Sequence, residues 1–119
     1  DGHELILGGR QDPQFGPVVL AGLGGIFVEI IGEAAVRVAP IRRQEAEQMI
    51  DSLRGSQALR GARGGRRADI NAAVDALLRV SQLLVDFPRI QELDVNPLRV
   101  FAEGEGCMAL DARIILSKD

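Results

Sequence analysis

The sequence predicts an α+β fold, a mainly antiparallel sheet with helices packed on one face, in a single domain over residues 1–119. Three observations lead there. The order of patterns is four short strands, two helices, then two strands, and that segregation marks α+β rather than alternating α/β. Two windows carry an apolar stripe at helical spacing. The remaining apolar residues come in short runs punctuated by Gly and Pro. A chain of 119 residues that is 46% hydrophobic can build one core. With four Phe and no Trp or Tyr, that core must be made of Leu, Ile, Val and Ala.

The elements follow in order. Asp1-Gly2-His3 runs at once into Glu4-Leu5-Ile6-Leu7-Gly8, a strand pattern, so the chain is expected to start inside a larger domain. His3, the only histidine, reads as exposed and incidental. Asp12-Pro13-Gln14-Phe15-Gly16-Pro17 is turn chemistry, with an Asp able to bond its own backbone. Val18 to Ala21 is a short apolar strand. Gly22-Leu23-Gly24-Gly25 is neither a dinucleotide fingerprint, since Phe27 stands where the third glycine belongs, nor a P-loop, since no Gly-Lys-Ser/Thr follows. On spacing alone it is a tight turn that lets two backbones approach closely. Ile26 to Ile31 reads as a strand, with a helical turn as the alternative, and Ala35 to Ala39 as another strand stopped by Pro40.

In Arg43 to Leu53 the residues Ala46, Met49, Ile50 and Leu53 form a helical stripe, ended by Gly55. Ser56 to Arg67 reads as a solvated, flexible connection with a short turn at Gln57-Ala58-Leu59. Its alternative is functional, with Arg63 or its neighbours meeting phosphate or a partner domain. Asp69 is a good N-cap for a second helix, whose face is Ile70, Ala73, Val74, Leu77, Ser81, Leu84 and Val85 and whose end is marked by Pro88.

Composition excludes several classes. The net charge is −3 and charges of both signs are spread along the chain, so no basic face for nucleic acid is expected. One Cys excludes an internal disulfide and a Cys-based zinc site, and fits a reducing cytosol. No apolar run approaches the roughly 20 residues of a membrane span, and no signal-peptide pattern opens the chain. A cytoplasmic protein is expected.

The stretch Glu92-Leu93-Asp94-Val95-Asn96-Pro97-Leu98 has the period of a strand, with Leu93 and Val95 facing one way and three oxygen-bearing side chains the other. Pro97 must interrupt or bulge the ladder. Glu103-Gly104-Glu105-Gly106 reads as a turn and Met108 to Ile114 as the return strand. With the hairpin centre between Gly104 and Glu105, Leu98 lies opposite Asp111 and Asn96 opposite Arg113. Asn96 and Asp111 are then diagonal neighbours on one face, roughly 7–8 Å apart. An amide oxygen and a carboxylate so placed can converge on a hard cation such as Mg²⁺ or Mn²⁺. The ordinary reading of the same residues is a solvated polar strand face.

Glu-Leu-Asp-Val-Asn-Pro-Leu followed by Leu-Asp-Ala-Arg (residues 110–113) resembles the end of an ATP-grasp domain. More narrowly it is similar to that of the nucleoside-diphosphate-forming acyl-CoA synthetases, relatives of the succinyl-CoA synthetase β subunit. The run from Asp12 to Glu29, D-P-Q-F-G-P-V-V-x-x-G-L-G-G-I-F-V-E, resembles a second signature of the same family. The resemblance covers about residues 4 to 116. It implies the larger C-terminal lobe of an ATP-grasp domain. It also implies that Asn96 and Asp111 hold the nucleotide's Mg²⁺ and that Asp94 stands beside the metal. Gly24 and Gly25 would offer backbone donors to the ATP or ADP phosphates, and Glu29 would be a polar, catalytic-site residue. The implied activity interconverts acyl-CoA, ADP and phosphate with the free acid, CoA and ATP through an acyl phosphate. The other ATP-grasp lobe and the CoA-binding domains would be partners elsewhere in the same enzyme. Similar segments also occur fused to acetyltransferase domains, where a regulatory role is the alternative.

Overall fold

The computed structural model describes residues 2–24 and 34–118. The predicted strand at Ile26 to Ile31, with Gly25 and Glu29, lies outside the described residues. Strands β1 (His3–Asp12) and β2 (Gly16–Leu23) form a hairpin, and β3 (Ala35–Val38) pairs with β2. Helix α1 (Arg43–Asp51) and helix α2 (Ile70–Asp86) follow, joined through two short 3₁₀ turns, Ser56–Arg60 and Ala62–Gly64. Strands β4 (Ile90–Val100), β5 (Cys107–Ala109) and β6 (Ala112–Leu116) complete the order. Among the described residues all pairings are antiparallel, in the order β3-β2-β1-β4, with β5 and β6 both on the far side of β4.

Local chemistry explains the boundaries. Asp12 Oδ1 accepts from the amides of Gln14 (2.8 Å) and Phe15 (3.0 Å), closing the β1–β2 turn as predicted. Those two backbone donors hold the Asp12 carboxyl below the usual carboxylate range. Asp69 caps α2 by accepting from Ala72 N at 3.1 Å. Helix α1 ends at Asp51 with Ser52 as its C-cap, three residues before the predicted stop at Gly55, whose left-handed φ of +87° opens the Ser56–Arg60 turn instead.

The core lies between the helices and one face of the sheet. Leu5, Leu7, Val19 and Ala21 are fully buried from the sheet side. Opposite them α2 buries Ala73, Val74, Leu77, Val80, Ser81 and Leu84. The predicted face omits Val80 and includes Ile70 and Val85, which sit half-buried at its rim. The α1 stripe Ala46, Met49, Ile50 and Leu53 is buried as predicted. Ser81 is accommodated because its hydroxyl accepts from Ile41 N at 3.0 Å, which leaves that oxygen satisfied in the core. Gly9 permits the helix to sit this close: a Cβ there would lie 2.1 Å from Leu84 Cδ1 and 2.7 Å from Val18 O.

The segment from Ser56 to Arg67 is more tightly held than its composition predicts. Leu59 is buried to 2% exposure, and Ala68 N donates to Leu59 O at 2.7 Å. Arg60 pairs with Asp51, Arg66 with Glu105 and Arg67 with Glu103, so these three guanidinium groups serve local ion pairs. His3, expected to be exposed, is half-buried at the start of β1.

Candidate functional site

The sheet face away from the helices carries the polar rows. Along β4, Leu93 and Val95 point toward the core and Glu92, Asp94 and Asn96 do not. Leu98 and Val100 then return to the core, so the alternation steps by one place at Asn96–Pro97. The register with β1 shifts at the same point, between Leu5 opposite Leu98 and Leu7 opposite Val95. This is the interruption that Pro97, with no N–H, predicts. The Asn96–Pro97 peptide is cis.

The return of the chain differs in register from the expectation. Glu105 N donates to Ala102 O (2.8 Å) and Phe101 N to Gly106 O (3.0 Å), so the hairpin centre lies between Glu103 and Gly104, one residue earlier. Leu98 therefore faces Ala109 rather than Asp111, and Arg113 faces Asp94 rather than Asn96. The cause is tertiary: Asp69 Oδ2 accepts from both Gly104 N (3.1 Å) and Gly106 N (2.8 Å), tying the turn to the start of α2. Moving a hairpin centre by one residue moves every partner by two, which preserves the face.

Asn96 is thus brought directly across from Asp111 instead of diagonal to it. Opposed side chains on one face stand about 4.5–5.5 Å apart at Cβ, closer than the diagonal spacing. The return strand breaks at Leu110–Asp111, between β5 and β6. There Leu110 N donates to Pro97 O (2.9 Å) and Asn96 N to Asp111 O (3.0 Å). Both side chains are exposed. Asp111 Oδ1 accepts from Ala112 N at 2.9 Å, which orients the carboxylate, and Oδ2 has no partner among the described residues. Among the described residues no three His, Cys, Asp or Glu side chains cluster to hold a metal by themselves. A pair of hard oxygen ligands fits Mg²⁺ or Mn²⁺ only as a partial shell, completed by water and phosphate oxygens.

One rung along from this pair, Asp94 faces Arg113. These two form the polar wall of an open depression of about 460 Å³, whose opposite wall is Leu20 and Val36. That volume suits a small-molecule ligand. Gly24 lies elsewhere on β2's margin. Its N–H donates to Glu4 O at 2.8 Å, and a Cβ would stand 3.1 Å from Glu4 Cβ. The close backbone approach expected from spacing is present, but this amide is spent on β1 rather than open to phosphate. The Glu4 carboxylate in turn meets Arg99 at 2.6 Å. Sequence reasoning missed the Glu4–Arg99 pair because its members are 95 residues apart, with no local signal. Arg113 could have been found by parity, since it stands two residues from Asp111 on the same strand face.

Helices cover one face of the sheet, and Asn96 and Asp111 stand opposed on the other. The family model described as "ATP-grasp domain" matches residues 1–116, and the chain belongs to that family. Its relatives narrow the class. The β subunit of an ADP-forming acetate–CoA ligase II from Pyrococcus furiosus is 48% identical over 116 residues, 97% of this chain and 49% of that subunit. The ADP-forming acetate–CoA ligase I of Archaeoglobus fulgidus is 44% identical over 99% of this chain and 17% of that protein. Among solved structures, a dinucleotide-forming acetyl-coenzyme A synthetase 1 from Ca. Korarchaeum cryptofilum superposes with a TM-score of 0.91 at 44% identity. It covers 98% of this chain and 54% of its own. That structure holds coenzyme A and Mg-AMPPCP, with a phosphohistidine segment pointing towards the nucleotide-binding site. The chain therefore spans about half the length, or less, of the proteins it matches.

Proposed function

We propose that this chain is the C-terminal, Mg²⁺- and nucleotide-binding lobe of an ADP-forming acyl-CoA synthetase. The enzyme would convert acyl-CoA, ADP and phosphate into the acid, CoA and ATP by way of an acyl phosphate. The observation that carries the reading is the Asn96–Asp111 pair, opposed across the β4–β6 ladder on the helix-free face of an ATP-grasp sheet. Asn96 and Asp111 would hold Mg²⁺, and Asp94, half-buried beside them, would tune the charge at the metal. An ion held there by Asn96 and Asp111 would supply positive charge to the phosphate oxygens. With Gly24 N–H committed to Glu4 O, the backbone donor for phosphate would be Gly25, and Glu29 would be the polar residue near the reacting groups. The preceding ATP-grasp lobe and the CoA-binding domains would complete the site from outside this segment. The matched relatives are named as ligases, which favours this reading over a regulatory module fused to an acetyltransferase. No described helix is long and apolar enough to cross a membrane, and we place the enzyme in the cytoplasm.

The test is the full-length protein carrying Asp111→Asn. Its Mg²⁺ requirement for ATP formation from acetyl-CoA, ADP and phosphate should rise by about tenfold or more with far-UV circular dichroism unchanged, the loss expected for one charged metal ligand. An unaltered Mg²⁺ titration refutes the assignment.

A further inference from the structure

The geometry points to Arg113 as the residue that binds the terminal phosphate of the nucleotide, an inference that rests on the Asn96–Asp111 metal reading. Three observations carry it. Arg113 stands two residues from Asp111 on β6, so both side chains leave the sheet on one face, and the hairpin register sets it across from Asp94. It lines the 460 Å³ depression with Asp94, Glu92 and Arg10, opposite the apolar wall of Leu20 and Val36. Its guanidinium is exposed and makes no ion pair or hydrogen bond with another described residue, although Asp94 is its immediate cross-strand neighbour.

Six other arginines are ion-paired, whereas Arg37 and Arg89 reach only backbone carbonyls and Arg79 has no partner among the described residues, so what distinguishes Arg113 is its place across from Asp94 in the depression. Arg10 pairs with Asp12, Arg43 with Asp75, Arg60 with Asp51, Arg66 with Glu105, Arg67 with Glu103 and Arg99 with Glu4. Arg113 stands across from Asp94 yet has no partner among the described residues, on the face that would carry the metal. A planar guanidinium presents a fork of N–H donors that suits two non-bridging phosphate oxygens at once. A metal shared between Asn96 and Asp111 brings a phosphate one ladder step from that fork. The amphipathic depression fits the same ligand class, with a polar, charged wall for phosphates and an apolar wall for a less polar part. Arg113 thereby distinguishes a nucleoside triphosphate from a diphosphate, because the added terminal phosphate is the group it reaches.

Calorimetric titration of the full-length protein with Mg²⁺-ADP and with a non-hydrolysable Mg²⁺-ATP analogue tests this. Arg113→Gln should weaken the triphosphate by about ten- to a hundredfold, the loss of one charge-assisted phosphate contact, and change ADP by less than about threefold. Arg113→Lys should recover part of the loss, as a point charge without the fork. Asp111→Asn should weaken both nucleotides. Arg113→Gln that binds both nucleotides like wild type, beside an Asp111→Asn that binds both weakly, overturns the role of Arg113 and leaves the metal reading standing. An Asp111→Asn variant with wild-type binding of both overturns the metal reading itself. Because Arg113 is exposed on an edge strand, loss of folding is checked by comparing the melting curve of each variant with wild type.

Discussion

Asn96 and Asp111 show how much a single residue's placement decides. Neither is buried, and each would be unremarkable alone; their value lies in facing each other across a ladder. Asp69 is the residue that sets this placement, since its two carboxylate oxygens serve different masters. Oδ1 caps α2 through Ala72 N, while Oδ2 takes the amides of Gly104 and Gly106. Asp69→Ala should cost about 1–3 kcal/mol in urea melts, combining a lost helix cap with two turn amides returned to solvent. Asp69→Asn should cost less, because its one carbonyl oxygen can keep the cap while the turn loses its acceptor. Equal losses for the two variants would show that the turn contacts contribute nothing.

Cys107 allows a prediction in pH. Partial burial, then the nearby carboxylates of Asp69 and Asp75, push its thiol above the ordinary range. A group whose folded pKa is raised keeps its proton in the native state longer than in the unfolded chain. Its contribution to stability is complete below the unfolded pKa and fades as pH rises through the folded one. The rate of iodoacetamide labelling of the native protein should therefore reach its midpoint at higher pH than the rate in urea. Coincident midpoints would remove the burial argument.

At the scale of elements, α2 is the piece on which the sheet depends. Leu77 is fully buried against the strands, and Leu77→Ala should cost roughly 2–5 kcal/mol in denaturant melts, the range for a lost core leucine. A change below a few tenths would mean the face is misassigned. Gly9 tests the same contact from the opposite side. A methyl there meets Leu84 and the Val18 carbonyl, and since the carbonyl belongs to a paired strand it cannot move freely. Gly9→Ala should destabilise by about 1–3 kcal/mol through overpacking. The two strands around Asn96–Pro97 are legible only in part from sequence. The alternation of apolar residues and the presence of Pro97 announce an interrupted strand, and parity assigns Asn96 and Asp111 to one face. The hairpin centre is not local information, because several four-residue windows around Gly104 and Gly106 close a turn comparably well and the choice falls to Asp69 on another element.

For the whole molecule, helices cover the central strands on one sheet face and the other face is open. On the open face Val36 and Val38 of β3 are each 51% exposed, and on the helix side of the edge strand β6 Ile114 and Leu116 are 53% and 54% exposed, more apolar surface than scattered single residues would leave. These surfaces, together with relatives about twice as long or longer, accord with a segment that works beside further protein. A coupled assay for ADP-dependent acyl-CoA cleavage by the isolated chain should read background, because a nucleotide in an ATP-grasp enzyme lies between two lobes. Measurable turnover by the purified chain would sink the half-site reading.

What the sequence determined by itself was the class of fold, the helix faces, the N-cap at Asp69, the turn at Asp12 and the pair Asn96 and Asp111 as candidates. These rest on period, on capping chemistry and on turn residues, all of which act over a few neighbours along the chain. The tertiary structure alone decided that Asn96 lies opposite rather than diagonal to Asp111, that Gly24 N–H is spent on Glu4, that Leu59 anchors a stretch that reads as loop, and that Arg113 stands across from Asp94. Each of these depends on contacts between segments tens of residues apart, where register and burial are set by packing of the assembled sheet against α2 and leave no trace in local composition.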